Sequence, residues 1–469
     1  MIMARRIVIL LACAAMVTGC NMAPDHIRPI GAIPSQFPQG GVYPPAVPQA
    51  TDATAIGWRD FFVDSKLRSV IALGLENNRD LRVAAANVLQ ARAQYRVQRA
   101  DLFPTVTASA SHDSGRTPIS TEGGQIATEV FSIDVGLSAF EIDLFGRVRN
   151  LSRAALEQYF ATEDAQRAAR ISLIGEIASA FLTLAADKEQ LVVSREALES
   201  FRQSLELTRA QFRVGFASEL DVRQAETGYQ GARNDLAVLA TQIAQDRNAL
   251  NLLVGTEIAE ELLPAPMDGA SDYTLSDLPA SLSSLILLKR PDVRMAEHQL
   301  AAQEANIGAA RAAMFPTISL TSAVGLIANP LSGLFKAGAE EWNVTPSATL
   351  PLFDAGRRNA NLQSAKASRQ AAVSTYEKAL QTAFSEVADA LAERGTIFEQ
   401  VDARTARAHA ATAAERLSFA RYRVGVDSFL VALDSQRTAY SARQDLVTTR
   451  LARAENLVQL YRVFGGGLQ

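Results

Sequence analysis

The sequence repeats itself at long range. Asn78-Arg79-Asp80-Leu81-Arg82 leads through helix-forming residues to Phe103-Pro104-Thr105, and both motifs return at one constant offset as Arg290-Pro291-Asp292-Val293-Arg294 and Phe315-Pro316-Thr317. Further on, Phe212-Arg213-Val214-Gly215 returns as Tyr422-Arg423-Val424-Gly425. A duplication this long means one structural unit used twice, so what one half builds the other must build as well.

Proline marks where long helices are possible. None occurs between Pro118 and Pro264 or after Pro351, and 147–213 and 357–423 are good helix formers interrupted only by Gly175 and Gly395. Each stretch predicts a helix of ~100 Å, too long for a compact domain, so these helices must lie against one another as coiled coil. Ile177, Leu184, Leu191, Leu198, Leu205 and Phe212 fall seven apart and supply such a seam in the first. In the second only Phe384, Leu391 and Phe398 do so. Gly215 and Gly425 suit left-handed caps that let the chain reverse, and Ser218 and Ser428 suit N-caps of returning helices that run to Val254 and Val463.

Four segments switch to period two, at about 104–113, 128–142, 316–327 and 341–353. Val106, Ala108 and Ala110 alternate with hydroxyl residues in the first, and Phe131, Ile133, Val135, Leu137 and Ala139 with polar ones in the second. Ile318, Leu320, Val324 and Leu326 do so in the third, where Ser322 breaks the apolar face; Trp342, Val344, Ala348, Leu350 and Leu352 do so in the fourth. The pattern alone suits a soluble sheet with one buried face as well as tilted membrane strands. The long helices, however, use their seams on each other and leave no apolar layer to cover a sheet. Membrane barrels start at about eight strands and tolerate no open edge in lipid, so four spanning strands require several copies to share one barrel.

The N-terminus gives an address. Arg5-Arg6 precede an apolar run that ends in Val17-Thr18-Gly19-Cys20. The run is too short to span a bilayer and reads as a secretory signal over 1–19. The remaining cysteine, Cys13, lies within that signal, so no disulfide is expected. From 20 to 57 the chain is rich in Pro, Gly and Gln and reads as an extended tether without a core; 58–255 and 285–469 are the two repeats, joined by a Pro- and Asp-containing linker at 256–284. A net charge of −4, with 46 basic residues interspersed among carboxylates, speaks against a nucleic-acid surface. His26, His112, His298 and His409 are scattered outside any metal spacing, and no nucleophile elbow or phosphate loop is present, so neither cofactor, metal nor catalytic residues are assigned.

Taken in order and at spacing, these residues resemble the TolC-like outer-membrane efflux proteins, in the lipoprotein branch that works with resistance-nodulation-division pumps. The likeness covers nearly the whole mature chain. It includes Met22-Ala23-Pro24-Asp25 with Pro29, Trp58-Arg59-Asp60-Phe61-Phe62 with Asp64 and Leu67, and both Phe-Pro-Thr strand entries. The returns from barrel to helix at Asp143-Leu144-Phe145-Gly146-Arg147 and Leu352-Phe353-Asp354-Ala355-Gly356-Arg357 belong to it, as does the end from Leu460 to Gly467.

The resemblance implies a mainly helical fold with a membrane β-barrel: a trimer with a shared twelve-stranded barrel above a coiled-coil α-barrel tunnel. It implies acylation of Cys20, with Asn21 directing the chain to the outer membrane, and as partners a periplasmic adaptor and an inner-membrane pump. It implies a periplasmic gate at Val426, Leu430, Asp434 and Arg437, with Asp221 and Tyr422 linking neighbouring hairpins, and adaptor-docking tips at Arg213, Val214, Gly215, Arg423, Val424 and Gly425. Plain coiled-coil packing and turn chemistry account for the same residues without a gate. Val431 and Asp427 depart from the family pattern, so a second acidic ring and tip-arginine contacts do not carry over. The function implied is a passive exit duct for toxic small molecules. A protein-secretion or heavy-metal duct is the alternative within the fold, and a lipid-anchored coiled-coil scaffold without a pore the alternative outside it.

Overall fold

The computed structural model describes residues 21–29, 31–43, 56–118, 125–269, 273–275 and 283–466. The expected signal peptide and Cys20 lie outside these residues, as do parts of the tether and linker. The elements are α1 (Trp58–Phe61), α2 (Ser65–Asn77), α3 (Arg79–Ala100), β1 (Val106–Pro118), β2 (Gln125–Glu141), α4 (Arg147–Arg213) and α5 (Glu219–Val254). The second half follows with α6 (Pro291–Ala312), β3 (Thr317–Ala328), β4 (Glu340–Thr349), α7 (Arg357–Arg423) and α8 (Phe429–Val463). The chain divides into two compact units, one comprising 1–30, Asn87–Glu163 and Met295–Glu377, the other Gly31–Ala86, Asp164–Arg294 and Lys378–Gln469.

The first unit holds one antiparallel sheet in the order β1-β2-β3-β4. Register places Val106, Ala108 and Ala110 beside Leu137, Val135 and Ile133, which in turn face Ser322, Val324 and Leu326, with Val344 and Trp342 next in line. Apart from Ser322 and Glu340 that face is apolar across four strands, and no described residue covers it: Trp342 is 77% exposed, Val106 65% and Val324 64%. The opposite face is hydroxylic, tied by Ser109 to Asp134 at 2.7 Å, Ser111 to Ser132 at 2.8 Å and Ser319 to Ser347 at 2.7 Å.

The expected alternation in β2 fails at its end. A bulge lies between Leu137 and Phe140, with Ala139 at φ 49° and its N–H donating to Thr321 Oγ1 at 3.1 Å. The extra residue re-phases the strand, so Phe140, and not Ala139, pairs with Leu320 on the apolar side. β4 also ends at Thr349, which leaves Leu350 and Leu352 beyond the sheet.

In the same unit the N-terminal stretch is extended, as expected, but it is docked. Arg311 donates to Met22 O at 3.0 Å, and His26 lies between Glu304 (2.8 Å) and Glu297 (3.3 Å). Arg28 pairs with Glu297 at 2.6 Å.

The second unit explains the duplicated motif. Asn78 Oδ1 caps α3 by accepting from Leu81 N at 2.8 Å, while its Nδ2 donates to Leu253 O at the end of α5, also at 2.8 Å. Arg290 holds the equivalent place in the second repeat: its Nη1 donates to Val463 O at the end of α8 (2.9 Å), and Asp292 and Glu386 neutralise it at 2.7 and 2.8 Å. Each repeat thus begins by satisfying a carbonyl that its own return helix leaves orphaned. The Trp58-to-Leu67 motif is also structural. Phe61 stacks on Tyr461 at 4.6 Å, Phe62 meets the same ring at 5.6 Å, and Asp64 caps α2 through Leu67 N at 2.7 Å.

The long helices pack as seams, but not throughout as expected. In α4, Ile177, Leu184 and Leu205 are buried, whereas Phe212, the last heptad position, is 45% exposed. In α7, Phe398 is exposed, and the seam runs instead through Tyr376, Leu380, Ala383, Val387, Ala390, Ile397, Val401, Ala408, Ala411, Ser418 and Tyr422. The steps are of four, three or seven, a coiled-coil spacing in which alanine and serine are interspersed among the larger apolar residues.

Gly325 sets up a prediction. A Cβ there would lie 2.2 Å from Ile133 O and 2.7 Å from Asp134 Cα on the neighbouring strand. Gly325→Val is expected to cost about 1–3 kcal/mol by overpacking and to part β2 from β3. The heat-sensitive oligomer band on an unheated gel should then be lost; an unchanged band would show that the sheet accommodates the side chain.

Candidate functional site

Both hairpin tips are built by the same backbone device. Gly215 and Gly425 adopt φ 81° and 79°. Phe216 N–H reaches back to Gln211 O, and Val426 N–H to Arg421 O, both at 2.9 Å, closing the last helical turns in a Schellman pattern. The residues after them differ. Ser218 caps α5 in a reciprocal box with Asp221: Ser218 N–H donates to Asp221 Oδ2 at 2.9 Å and Asp221 N–H to Ser218 Oγ at 3.2 Å. Ser428 occupies the N-cap of α8, but its side chain caps nothing. The residue three further on is Val431, which has no group to complete a box. Asp427 instead turns to Arg421, which grips it at 2.7 and 2.9 Å. That hydrogen-bonded guanidinium holds the Asp427 carboxyl below the usual carboxylate range.

Above the turns all four hairpin helices share one core. Ala197, Phe201 and Leu205 of α4 meet Ala225 and Ala232 of α5, Tyr422 of α7, and Phe429, Ala432 and Leu433 of α8. Tyr422 is buried, its ring 5.5 Å from Phe429. Its hydroxyl donates to Gln211 Oε1 at 2.5 Å and lies 3.1 Å from Thr208 Oγ1. Burial pushes the phenol up from its ordinary value, so it stays a donor at neutral pH. Tyr422 therefore ties the two hairpins of one chain together, while the Asp221 side chain is engaged within its own turn.

The four residues of the expected gate share a face of the second tip, and that face is bare. Val426 and Leu430 are 60% and 61% exposed, and Asp434 and Arg437 are exposed in turn beyond them. Asp434 and Arg437 form no ion pair with each other or with any described residue. Phe429, Ala432, Leu433 and Gln436 take the packing side of the same helix, so the stripe is not part of this chain's own coiled coil. Val214 and Val424, at the apices, are 67% and 71% exposed between Arg213 and Arg423.

Two residues of the first tip were missed from the sequence. Phe216 and Leu220 stand at the repeat positions of Val426 and Leu430 and are 86% and 65% exposed. The offset that relates the two Arg-Val-Gly motifs would have found them.

The sheet has an apolar face that no described residue covers and two edges that no described strand pairs, and both hairpins end in exposed apolar tips. Comparison with known proteins shows the family. The family described as outer membrane efflux protein matches residues 70–256 and 282–466. This chain belongs to that family. It is 43% identical to the toluene efflux pump outer membrane protein TtgC of Pseudomonas putida over 99% of this chain and 96% of that protein. It is 40% identical to the cation efflux system protein CusC of Escherichia coli O157:H7 over 97% and 98%. The open-state crystal structure of the MtrE outer membrane channel of Neisseria gonorrhoeae superposes with a TM-score of 0.85 at 37% identity, covering 96% of this chain and 99% of that one. The fold is thus that of the TolC-like outer-membrane channels. The chain is an outer-membrane efflux channel protein that extends into the periplasm.

Removing the Tyr422 hydroxyl should loosen the tip. Tyr422→Phe leaves Gln211 Oε1 without its donor, at about 1–3 kcal/mol. Amide exchange across 419–430 should quicken by about tenfold, since each ~1.4 kcal/mol is one decade. Unchanged exchange would remove Tyr422 from the clamp.

Proposed function

We propose that three copies of this chain close one twelve-stranded barrel and form a passive exit duct for small toxic molecules. The observation that carries this reading is the sheet itself: four membrane-length strands with an uncovered apolar face and unpaired edges at β1 and β4. An edge in lipid leaves backbone groups without partners, and only neighbouring copies can supply them. The hydroxylic face then turns to the bore. Cleavage of 1–19 and acylation of Cys20 add a lipid anchor to the barrel.

In this reading the second hairpin supplies the gate. Val426 and Leu430 of three copies form an apolar constriction, and three Asp434 side chains form an acidic ring above it, attractive to cations. Tyr422, Thr208 and Gln211 hold the hairpins shut until a partner parts them. The tips are where a periplasmic adaptor docks, through Val214 and Val424 flanked by Arg213 and Arg423, with an inner-membrane pump supplying the energy. The name of CusC supports a second cargo class, metal cations, for the same duct.

A planar-bilayer recording of the purified oligomer tests the duct, which predicts a steady ion conductance; a membrane that stays insulating would leave a scaffold. Asp434→Lys should weaken block by divalent cations severalfold, and an unaltered block would take Asp434 out of the pore. Val214→Glu with Val424→Glu should abolish export of a toxic dye from cells while the oligomer survives. Undiminished export would remove the docking role, and export of metal cations alone would favour the second cargo class.

A further inference from the structure

The duct makes no demand on how the N-terminal stretch is held, yet residues 22–28 are held in order along α6. Arg311 Nη1 donates to Met22 O at 3.0 Å, and a Cβ at Gly308 would lie 2.8 Å from both N and Cα of Ala23. His26 follows at Glu304 and Glu297, and Arg28 at Glu297. The strap therefore runs antiparallel to the helix, its backbone pressed on α6 where Gly308 leaves room. The second repeat alone is shaped to receive it. At the constant repeat offset α3 carries Ala85, Arg92 and Arg96 in place of Glu297, Glu304 and Gly308, which removes both carboxylates and fills the gap.

His26 has a carboxylate on each ring nitrogen. Its Nδ1 lies 2.8 Å from Glu304 Oε2 and its Nε2 3.3 Å from Glu297 Oε1. A neutral imidazole has one N–H and one lone pair, so it satisfies one carboxylate and turns a lone pair on the other; the imidazolium alone donates to both. Both carboxylates also accept from guanidiniums. Glu304, its side chain 3% exposed, takes Arg369 Nε and Nη2 of α7 on its Oε1 at 3.1 and 2.9 Å, and Glu297 takes Arg28 Nε at 2.6 Å. Burial opposes ionisation of Glu297, but the hydrogen bonds from Arg28 and His26 outweigh it and hold the carboxyl below its ordinary value. Of the remaining titratable groups, Tyr376 of α7 acts on Arg28 and Glu297, and Asp25 precedes His26 in the strap. His298, next to Glu297, turns to Glu157 of α4 at 2.8 Å.

We propose that His26 is a pH-operated clasp: its imidazolium pins residues 22–28 to α6, and loss of the ring proton releases them. Histidine is the side chain that changes charge between about pH 5 and 8. The docked strap favours the charged ring, whereas the free strap, in water, has no partner that prefers it. Docking therefore takes up a proton, so the clasp is complete in acid and is lost as pH rises and the ring is neutralised. With the strap away, Glu304 keeps Arg369 but loses its donor on Oε2, and the turns of α6 from Glu297 to Glu304 open to water. On the reading that Cys20 is acylated, each released residue adds up to ~3.3 Å of slack between the lipid and the protein. The clasp itself does not rest on that reading.

The test uses the full-length oligomer in detergent at about pH 5 and about pH 8. Amide exchange over 22–28, corrected for its intrinsic pH dependence, should be about tenfold faster at the higher pH, the worth of one hydrogen bond to a charged group. In His26→Lys, whose ammonium keeps its charge and its three donors, it should stay slow at both; in His26→Ala it should be fast at both. Ring-nitrogen NMR of histidine-labelled protein, assigned through the signal that His26→Ala removes, should show both His26 nitrogens protonated in acid. Exchange that ignores pH in the natural protein, a pH step that survives in His26→Ala or vanishes in His298→Gln, or a ring with one bare nitrogen in acid would each overturn the clasp.

Discussion

Lipid offers no hydrogen bonds, and that constraint shapes this chain from one end to the other. Every strand edge left unpaired in hydrocarbon costs several kcal/mol per backbone group, so β1 and β4 cannot be termini of a membrane sheet. Among the described residues no second layer covers the sheet's apolar face. The bulge at Ala139 belongs to the same logic. By re-phasing β2 it keeps a large side chain, Phe140, on the apolar side where the strand approaches Phe145, itself stacked on Phe315 at 4.7 Å. Phe145 lies on the way out of the first repeat's strands and Phe315 on the way into the second's, so the pair ties the duplicated halves where each leaves the sheet.

Within the second unit the character of the buried seam changes along the hairpins. Toward the linker it is apolar: Ile174, Ile177, Phe181, Leu182 and Leu184 are almost wholly buried. Toward the tips it becomes layered with polar contacts. Ser194 meets Tyr440, which donates to Asp235 at 2.9 Å; Gln436 donates to Ser200 at 2.7 Å, which donates to Glu415 at 2.9 Å; Tyr422 meets Thr208 and Gln211. Parting apolar side chains forfeits about 25 cal/mol per Å² with nothing in return, whereas a polar layer that parts exchanges its bonds for water at a net of about 0.5–1.5 kcal/mol each. The hairpins are thus cheapest to separate at the end where a gate would have to move.

Much of this was legible in the sequence because the responsible signals are local. Absence of proline marked α4 and α7, glycine marked the turns, and alternation marked the strands. What escaped depends on partners far away in the chain. In the α7 seam alanine, serine and tyrosine stand between Leu380, Val387, Ile397 and Val401, which dilutes the apolar contrast that marks a heptad. Asn78 and Arg290 look like ordinary helix starts, and only the fold brings them to Leu253 and Val463. Phe398 has heptad spacing but lies exposed, with the Arg394 guanidinium over its ring at 4.1 Å. At the site, Gly215 and Gly425 were readable from backbone chemistry alone. Both Ser218 and Ser428 read as N-caps from the sequence, yet only the Ser218 side chain caps its helix, and Val431 could not return a box bond as Asp221 does.

The two tips share a backbone but not a chemistry, and this bears on what a threefold assembly can do. At the repeat positions of Val426, Leu430, Asp434 and Arg437 the first tip places Phe216, Leu220, Gln224 and Thr227. Both tips therefore present an apolar pair, but only the second follows it with charge. Around a threefold axis, apolar knobs would recur at six tips and carboxylates at three. Bringing three carboxylates together is costly unless water or cations screen them, whereas six would be prohibitive for a narrow opening. The duplication was thus kept in the backbone of the two turns, where Gly215 and Gly425 close the same left-handed cap. It diverged on a helix face that no described residue of the same chain covers.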